Sequence, residues 1–175
     1  MSSYILGVMQ GRLLSKYQGR YQAHPVGYWK DEFTIAKDLK LDCIEFILDF
    51  NEYESNPLLT DHGLKEIQKV SNKTGVKINT ICADYFMEAP IHSSNKKVAN
   101  ASVKVLINLI RNSHQLGVTD IVIPCVDQSS LNEKAKIARF ISEMEPCVDE
   151  AEKFKINLSL ETDMPPQEFL KLINS

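Results

Sequence analysis

The stretch Ile156-Asn157-Leu158-Ser159-Leu160-Glu161-Thr162 decides how the chain is read. Its apolar alternation, bounded by a helical pattern before it and by Pro165-Pro166 after it, predicts a short buried strand that delivers one carboxylate, Glu161, at its C-terminal end. In α/β proteins that end of the sheet collects chemistry, because side chains there project past a rigid strand.

Four similar units precede it. Tyr4–Met9 is an apolar run ending in Gln10-Gly11-Arg12, which suits a strand entering a loop; Leu13 to Gly27 then reads as a long loop that contributes Lys16 and Arg20. Trp29, Phe33, Ala36 and Leu39 share one face of a first helix, with Asp31 and Glu32 near its positive end. Leu41–Leu48 gives a second strand bearing Glu45. Thr60 with Asp61 offers a cap for a helix that runs to Thr74 and stops at Gly75.

Val76–Ala83 is a third strand, Asp84–Ser94 a loop, and Ser94 or Asn95 the cap of a helix reaching Leu116, with Val103, Leu106, Ile107 and Ile110 as its core stripe. Thr119–Cys125 is a fourth strand. A helix follows from Leu131 to Phe154, with Ile137, Ile141, Met144, Val148 and Ala151 facing the sheet and Pro146 expected to kink or divide it. After the fifth strand a further helix starts near Pro166. The alternation βαβαβαβαβα predicts a parallel sheet with helices outside it, as one domain over residues 1–175.

Composition narrows the function. The 175 residues carry a net charge of -3, which gives no general attraction to nucleic acid. The N-terminus lacks a basic region followed by an apolar run, and no stretch is long and apolar enough for a membrane span, so a cytoplasmic protein is expected. Cys43, Cys82, Cys125 and Cys147 are scattered without a C-x-x-C pair and read as reduced core residues.

From spacing alone, Glu161 is either a metal ligand and base or a structural carboxylate in an ion pair. Glu45 either bonds a substrate hydroxyl or is a buried acid satisfied by Arg12 or a backbone donor. Gln10 and Arg12 are candidates to contact an anionic or polyhydroxylated substrate, although an arginine after a strand is more often a solvated or ion-paired surface group. Asp84 and Asp127 follow the third and fourth strands at the same rim, where aspartates also cap turns. His92 is the one histidine in a rim loop well placed for acid-base work, although a lone loop histidine reads first as solvated.

Gly7-Val8-Met9-Gln10-Gly11-Arg12-Leu13, Gly27-Tyr28-Trp29, Leu41-Asp42-Cys43-Ile44-Glu45-Phe46, Cys82-Ala83-Asp84-Tyr85-Phe86, Ile121-Val122-Ile123-Pro124 and Leu158-Ser159-Leu160-Glu161, in this order, resemble the sugar phosphate isomerase and epimerase family with the xylose-isomerase-like barrel. The resemblance implies an α/β TIM barrel of eight units, of which this chain carries the first five. It also implies a divalent metal (Mn, Mg, Co or Zn) at the rim and interconversion of a sugar or sugar phosphate through an enediolate.

The family's fifth-strand glutamate falls on Glu161, as catalytic residue and metal ligand. Gln10, Arg12, Glu45, Asp84 and Glu168 are the substrate-binding candidates, Glu168 as the second acid that follows the fifth strand. The resemblance places the remaining metal ligands, an aspartate, a histidine and a glutamate, on strands six to eight. The chain as given ends at Ser175, so it is expected to hold no metal alone and to be inactive by itself, with exposed first and fifth strands. A homo-oligomer is one way to complete it. The alternatives are a non-catalytic sugar-binding relative and, last, the abasic-site endonuclease branch. That branch wants histidines where Cys82-Ala83-Asp84 and Cys125-Val126-Asp127 stand.

Overall fold

A computed structural model describes residues 4–174 of the chain. In order, its elements are β1 (Gly7–Met9), α1 (Trp29–Asp38), β2 (Cys43–Ile47), α2 (Asp61–Thr74), β3 (Thr80–Cys82), α3 (Tyr85–Glu88), α4 (Lys96–Leu116), β4 (Asp120–Cys125), α5 (Lys134–Phe154), β5 (Asn157–Thr162) and α6 (Pro166–Ile173). Three short 3-10 turns lie between them, at Tyr53–Ser55, Pro57–Leu59 and Asp127–Ser129. The strands form one parallel sheet in the order β1-β2-β3-β4-β5. Each strand lies beside its sequence neighbour, as in a barrel wall rather than a doubly wound sheet.

Register sorts the two faces. Phe46, Ile81, Ile121 and Leu158 are matched across four strands, and the first three are fully buried in the core with Phe33, Leu106 and Leu109. Burial of that kind contributes roughly 1.5–3 kcal/mol per large apolar side chain. Ile47, Cys82, Val122 and Ser159 are matched one residue later, so they point to the opposite face, the concave side of the wall.

The helix boundaries follow their caps. Thr60 Oγ1 accepts the Gly63 N–H at 3.1 Å at the start of α2, and Gly75 closes it with φ of 83°. Asn95 accepts the Lys97 N–H at 3.0 Å to open α4.

Several expectations are corrected. The first strand pairs only over Gly7–Met9, because Tyr4, Ile5 and Leu6 are exposed. Leu39 lies beyond α1 and is exposed. The loop after β3 contains the helical turn α3. On α4, Leu106 and Ile110 are buried as expected, but Val103 and Ile107 only partly; Ala99, Ser102 and Leu109 complete the inner face.

Pro146 does not divide α5. It sits on the solvent side, where the carbonyl it frees can bind water. The inward face of α5 is Phe140, Met144, Cys147 and Ala151, while Ile141 and Val148 are exposed. Finally, β5 is not a buried strand: only Ile156, just before it, is buried, and the strand lies at the sheet edge with its concave face open.

Candidate active site at the C-terminal rim

Where the strands end, the first loop is the most organised part of the rim. Gly11 follows β1 with φ of 85°, and a Cβ there would lie 2.1 Å from the Tyr21 carbonyl oxygen, so only glycine fits the turn. The turn exposes a run of backbone N–H groups. Glu32 of α1, wholly buried, answers them: Oε2 accepts from Gly11 at 2.8 Å and Oε1 from Leu13 at 3.0 Å. Burial pushes the Glu32 carboxyl up, while the N–H groups of Gly11, Leu13 and Arg12 pull it back towards the charged form.

Gln10 is wholly buried at the same turn. Its Oε1 accepts the Ile47 N–H at 3.0 Å and lies 3.2 Å from His24 Nδ1, while its Nε2 is a buried donor without a partner. His24 is packed against Trp29 and Phe46, and burial lowers it to about 4, against the opposing pull of Asp49. It is therefore neutral at pH 7 and donates from Nδ1 to Gln10.

A chain of polar contacts runs along the rim from Arg12. Its guanidinium donates to Gln22 Oε1 at 3.2 Å, and the Gln22 side chain hydrogen-bonds Asp84. The Cys82 thiol donates to Asp84 Oδ1 at 3.0 Å. Beside it Arg20 pairs with Asp49 at 2.7 Å, and Asp49 is only 5% exposed. The Asp84 carboxyl is raised, first by burial and then by the Asp49 charge, and is held back by Cys82, Gln22 and Arg20.

Cys82 ties the rest of the face together. Burial pushes its thiol far up, and the carboxylates of Asp84, Glu45 and Glu161 push it further. Glu45, half-buried opposite Met9, and Glu161, exposed opposite Pro124, thus share the concave face with Cys82 and Asp84. The structure brings Gln10, Arg12, Glu45, Asp84 and Glu161 to one rim. Arg12 bonds Gln22 rather than Glu45, so the ion pair considered from the sequence is not the one formed.

Glu168 lies apart, on α6. It lines a groove of about 460 Å³ on the outside of the wall with Glu133, Ile137, Ile141 and Lys171. His92 is buried rather than solvated. Burial, with Lys136 and Arg139 nearby, lowers it to about 4, and its ring packs against Phe140. Asp127, itself exposed, starts the 3-10 turn that ends at the buried Ser129. The Ser130 hydroxyl ties that loop to Asp163 after β5 at 2.8 Å.

His24, Gln22, Asp49 and Glu32 were not anticipated as rim residues. A signal for Glu32 was present, because Trp29, Glu32, Phe33 and Ala36 form an i, i+3, i+4, i+7 stripe, which places an acid among core positions.

Among the described residues no group of three or more His, Cys, Asp and Glu side chains is placed to hold a metal ion. Glu161 stands as a single exposed carboxylate, whereas a divalent ion takes several oxygen or nitrogen ligands. These residues do not by themselves fit the metal that the resemblance implies.

The model of the xylose isomerase-like TIM barrel matches residues 33–173. The probable L-ribulose-5-phosphate 3-epimerase UlaE of Mycoplasma pneumoniae is 22% identical over 164 residues, covering 91% of this chain and 50% of that protein. The solved structure of D-psicose 3-epimerase with D-tagatose from Clostridium cellulolyticum H10 superposes with a TM-score of 0.71 at 14% identity, over 97% of this chain and 59% of that one. The structure of the IOLI protein with a bound zinc atom gives 0.67 at 14% identity, over 98% of this chain and 58% of that one. The chain thus spans about half the length of the curated relative it matches.

Proposed function

Since the chain belongs to the xylose isomerase-like TIM barrel family, we propose that it supplies part of the active site of a sugar or sugar-phosphate isomerase or epimerase. The observation that carries this reading is Glu161. It is an exposed carboxylate at the C-terminal end of β5, on the concave face, within electrostatic reach of the Cys82, Asp84 and Glu45 group. The name of the curated relative, a ketose phosphate epimerase, agrees with it.

The proposed chemistry is removal of the proton beside the sugar carbonyl. Glu161 takes it, leaving an enediolate. Return of that proton to the neighbouring carbon gives the isomer, whereas the epimer requires a second acid to deliver a proton to the opposite face of the same carbon. Each such group must lie within hydrogen-bond reach of the carbon it serves. Gln10, through its free Nε2 donor, and Arg12, Glu45 and Asp84 are assigned to the substrate's hydroxyl or phosphate groups. Glu168 keeps the substrate-binding role the resemblance implies only through movement of α6, since it lines the outer groove.

A divalent metal with Glu161 among its ligands belongs to this proposal. So does the inactivity of the 175 residues alone, because a lone carboxylate does not retain such an ion. Incubating the native gene product with L-ribulose 5-phosphate, D-psicose and D-tagatose, with and without a chelator, and following the sugars by proton NMR tests the reading. Formation of an isomer or epimer from one of them, lost on chelation, supports it. Binding without conversion favours a sugar-binding relative instead.

A further inference from the structure

We infer that Glu32 is a positioning residue that presents Arg12 to the substrate at the rim; the inference rests on the functional reading above. Its carboxylate is no ligand, since it is wholly buried and both oxygens are taken, one by the Gly11 N–H and one by the Leu13 N–H. Those two donors flank Arg12. A single carboxylate that binds the residues before and after an arginine fixes the backbone from which that side chain leaves, much as a concave run of N–H groups clasps an anion.

The other end of Arg12 is also defined. Its guanidinium reaches Gln22 Oε1, and Gln22 reaches Asp84, so the exposed side chain is directed along the rim. Among the described residues the Arg12 side chain bonds a neutral amide and, like Arg139, forms no ion pair, whereas Arg20 pairs with Asp49 and Arg111 with Glu150. Its positive charge faces the open rim without a salt-bridge partner among the described residues and suits an anionic or electron-rich oxygen of the sugar.

The turn tolerates no slack. Gly11 sits against the carbonyl oxygens of Tyr21 and Ala23, and Gln10 on its other side fastens β1 to Ile47 of β2. Loss of the Glu32 clamp therefore frees Arg12 before it disturbs the sheet. In Glu32→Gln the amide nitrogen faces one of the two N–H groups, so one hydrogen bond becomes a contact between donors.

Two measurements on the native gene product test this. In E32Q, amide hydrogen exchange at Gly11 and Leu13 is expected to accelerate by about a hundredfold with exchange in β2 to β4 unchanged. With L-ribulose 5-phosphate or D-psicose as the probe, E32Q is expected to raise KM by about tenfold with a smaller change in kcat. R12A, an exposed change that spares the clamp, is expected to raise KM by a similar factor, and the double variant no further.

Unchanged exchange at Gly11 and Leu13 would overturn the clamp whatever the activity. Faster exchange with KM unaltered, or KM effects of the two variants that multiply, would overturn the positioning role. If the wild-type protein converts no ketose, the functional reading fails, and the exchange result alone decides whether Glu32 holds the turn.

Discussion

Glu161 stands opposite Pro124 at the penultimate rung of the β4 and β5 ladder, and the alternation of the strands puts both on the concave face. Because Glu161 is exposed and no hydrogen bond to its carboxylate is recorded among the described residues, its removal is expected to leave the fold intact. Glu161→Gln should alter unfolding free energy by no more than about 0.5 kcal/mol in urea denaturation. A larger loss of stability would show that the carboxylate is structural.

Cysteine reactivity reports the packing on both faces of the sheet. Burial pushes the thiols of Cys125 and Cys147 up to about 12 and raises that of Cys82 strongly; Cys43 is raised as well, by burial and by Asp42 and Glu45, but it is only partly buried. The thiolate is the nucleophile, so iodoacetamide at pH 8 is expected to modify Cys43 about a hundredfold faster than the other three. Peptide mass spectrometry over a time course reads the order. Early labelling of Cys82 would mean that the rim opens readily.

Acid should weaken the fold through its buried histidines. His24 and His92 are both lowered from 6.5 to about 4 in the folded protein, so the unfolded chain binds more protons between those values. Their contribution is fully present above about pH 6.5 and is lost as pH falls towards 4. For His24 the difference is on the order of 3 kcal/mol. Urea unfolding at pH 7, 6 and 5 is expected to show falling stability, and His24→Gln should flatten the slope. Equal slopes in both proteins would remove His24 as a cause.

The Gly11 turn gives a sharper contrast. Alanine there would need a left-handed φ and would place Cβ 2.1 Å from the Tyr21 carbonyl, while Gly19, with φ of 82°, has open space around it. Gly11→Ala is expected to cost at least about 3 kcal/mol and Gly19→Ala about 1 kcal/mol. For a domain of this size that separates the two melting temperatures by roughly 4–8 °C. Thermal denaturation of the two variants side by side checks it.

Much of the wall was legible in the chain. The alternation of apolar runs with helical stripes gave five βα units, and Thr60, Asn95, Gly75 and Gly117 marked helix ends because their cap chemistry is local. What escaped depended on tertiary packing. Ile141 and Val148 lie close to the apolar stripe of α5, and only the position of the helix on the sheet shows that Phe140 and Cys147 take the inner face. At the rim, Glu161, Glu45 and Asp84 were legible from their place at strand ends. His24, Gln22 and Asp49 were not, because they reach the rim through the fold of the loops following β1 and β2, and loop geometry carries no periodic signal.

The most direct test of the central claim, that this rim removes a proton beside a sugar carbonyl with Glu161 as the essential carboxylate, is deuterium wash-in. The native gene product is incubated with L-ribulose 5-phosphate, and separately with D-psicose, in deuterium oxide with a divalent metal, and the carbon next to the carbonyl is followed by NMR. Deuterium is expected to enter at that carbon with the wild-type protein and to fall at least about a thousandfold in rate with Glu161→Gln. No incorporation by the wild type, or incorporation that survives in Glu161→Gln, would contradict the account.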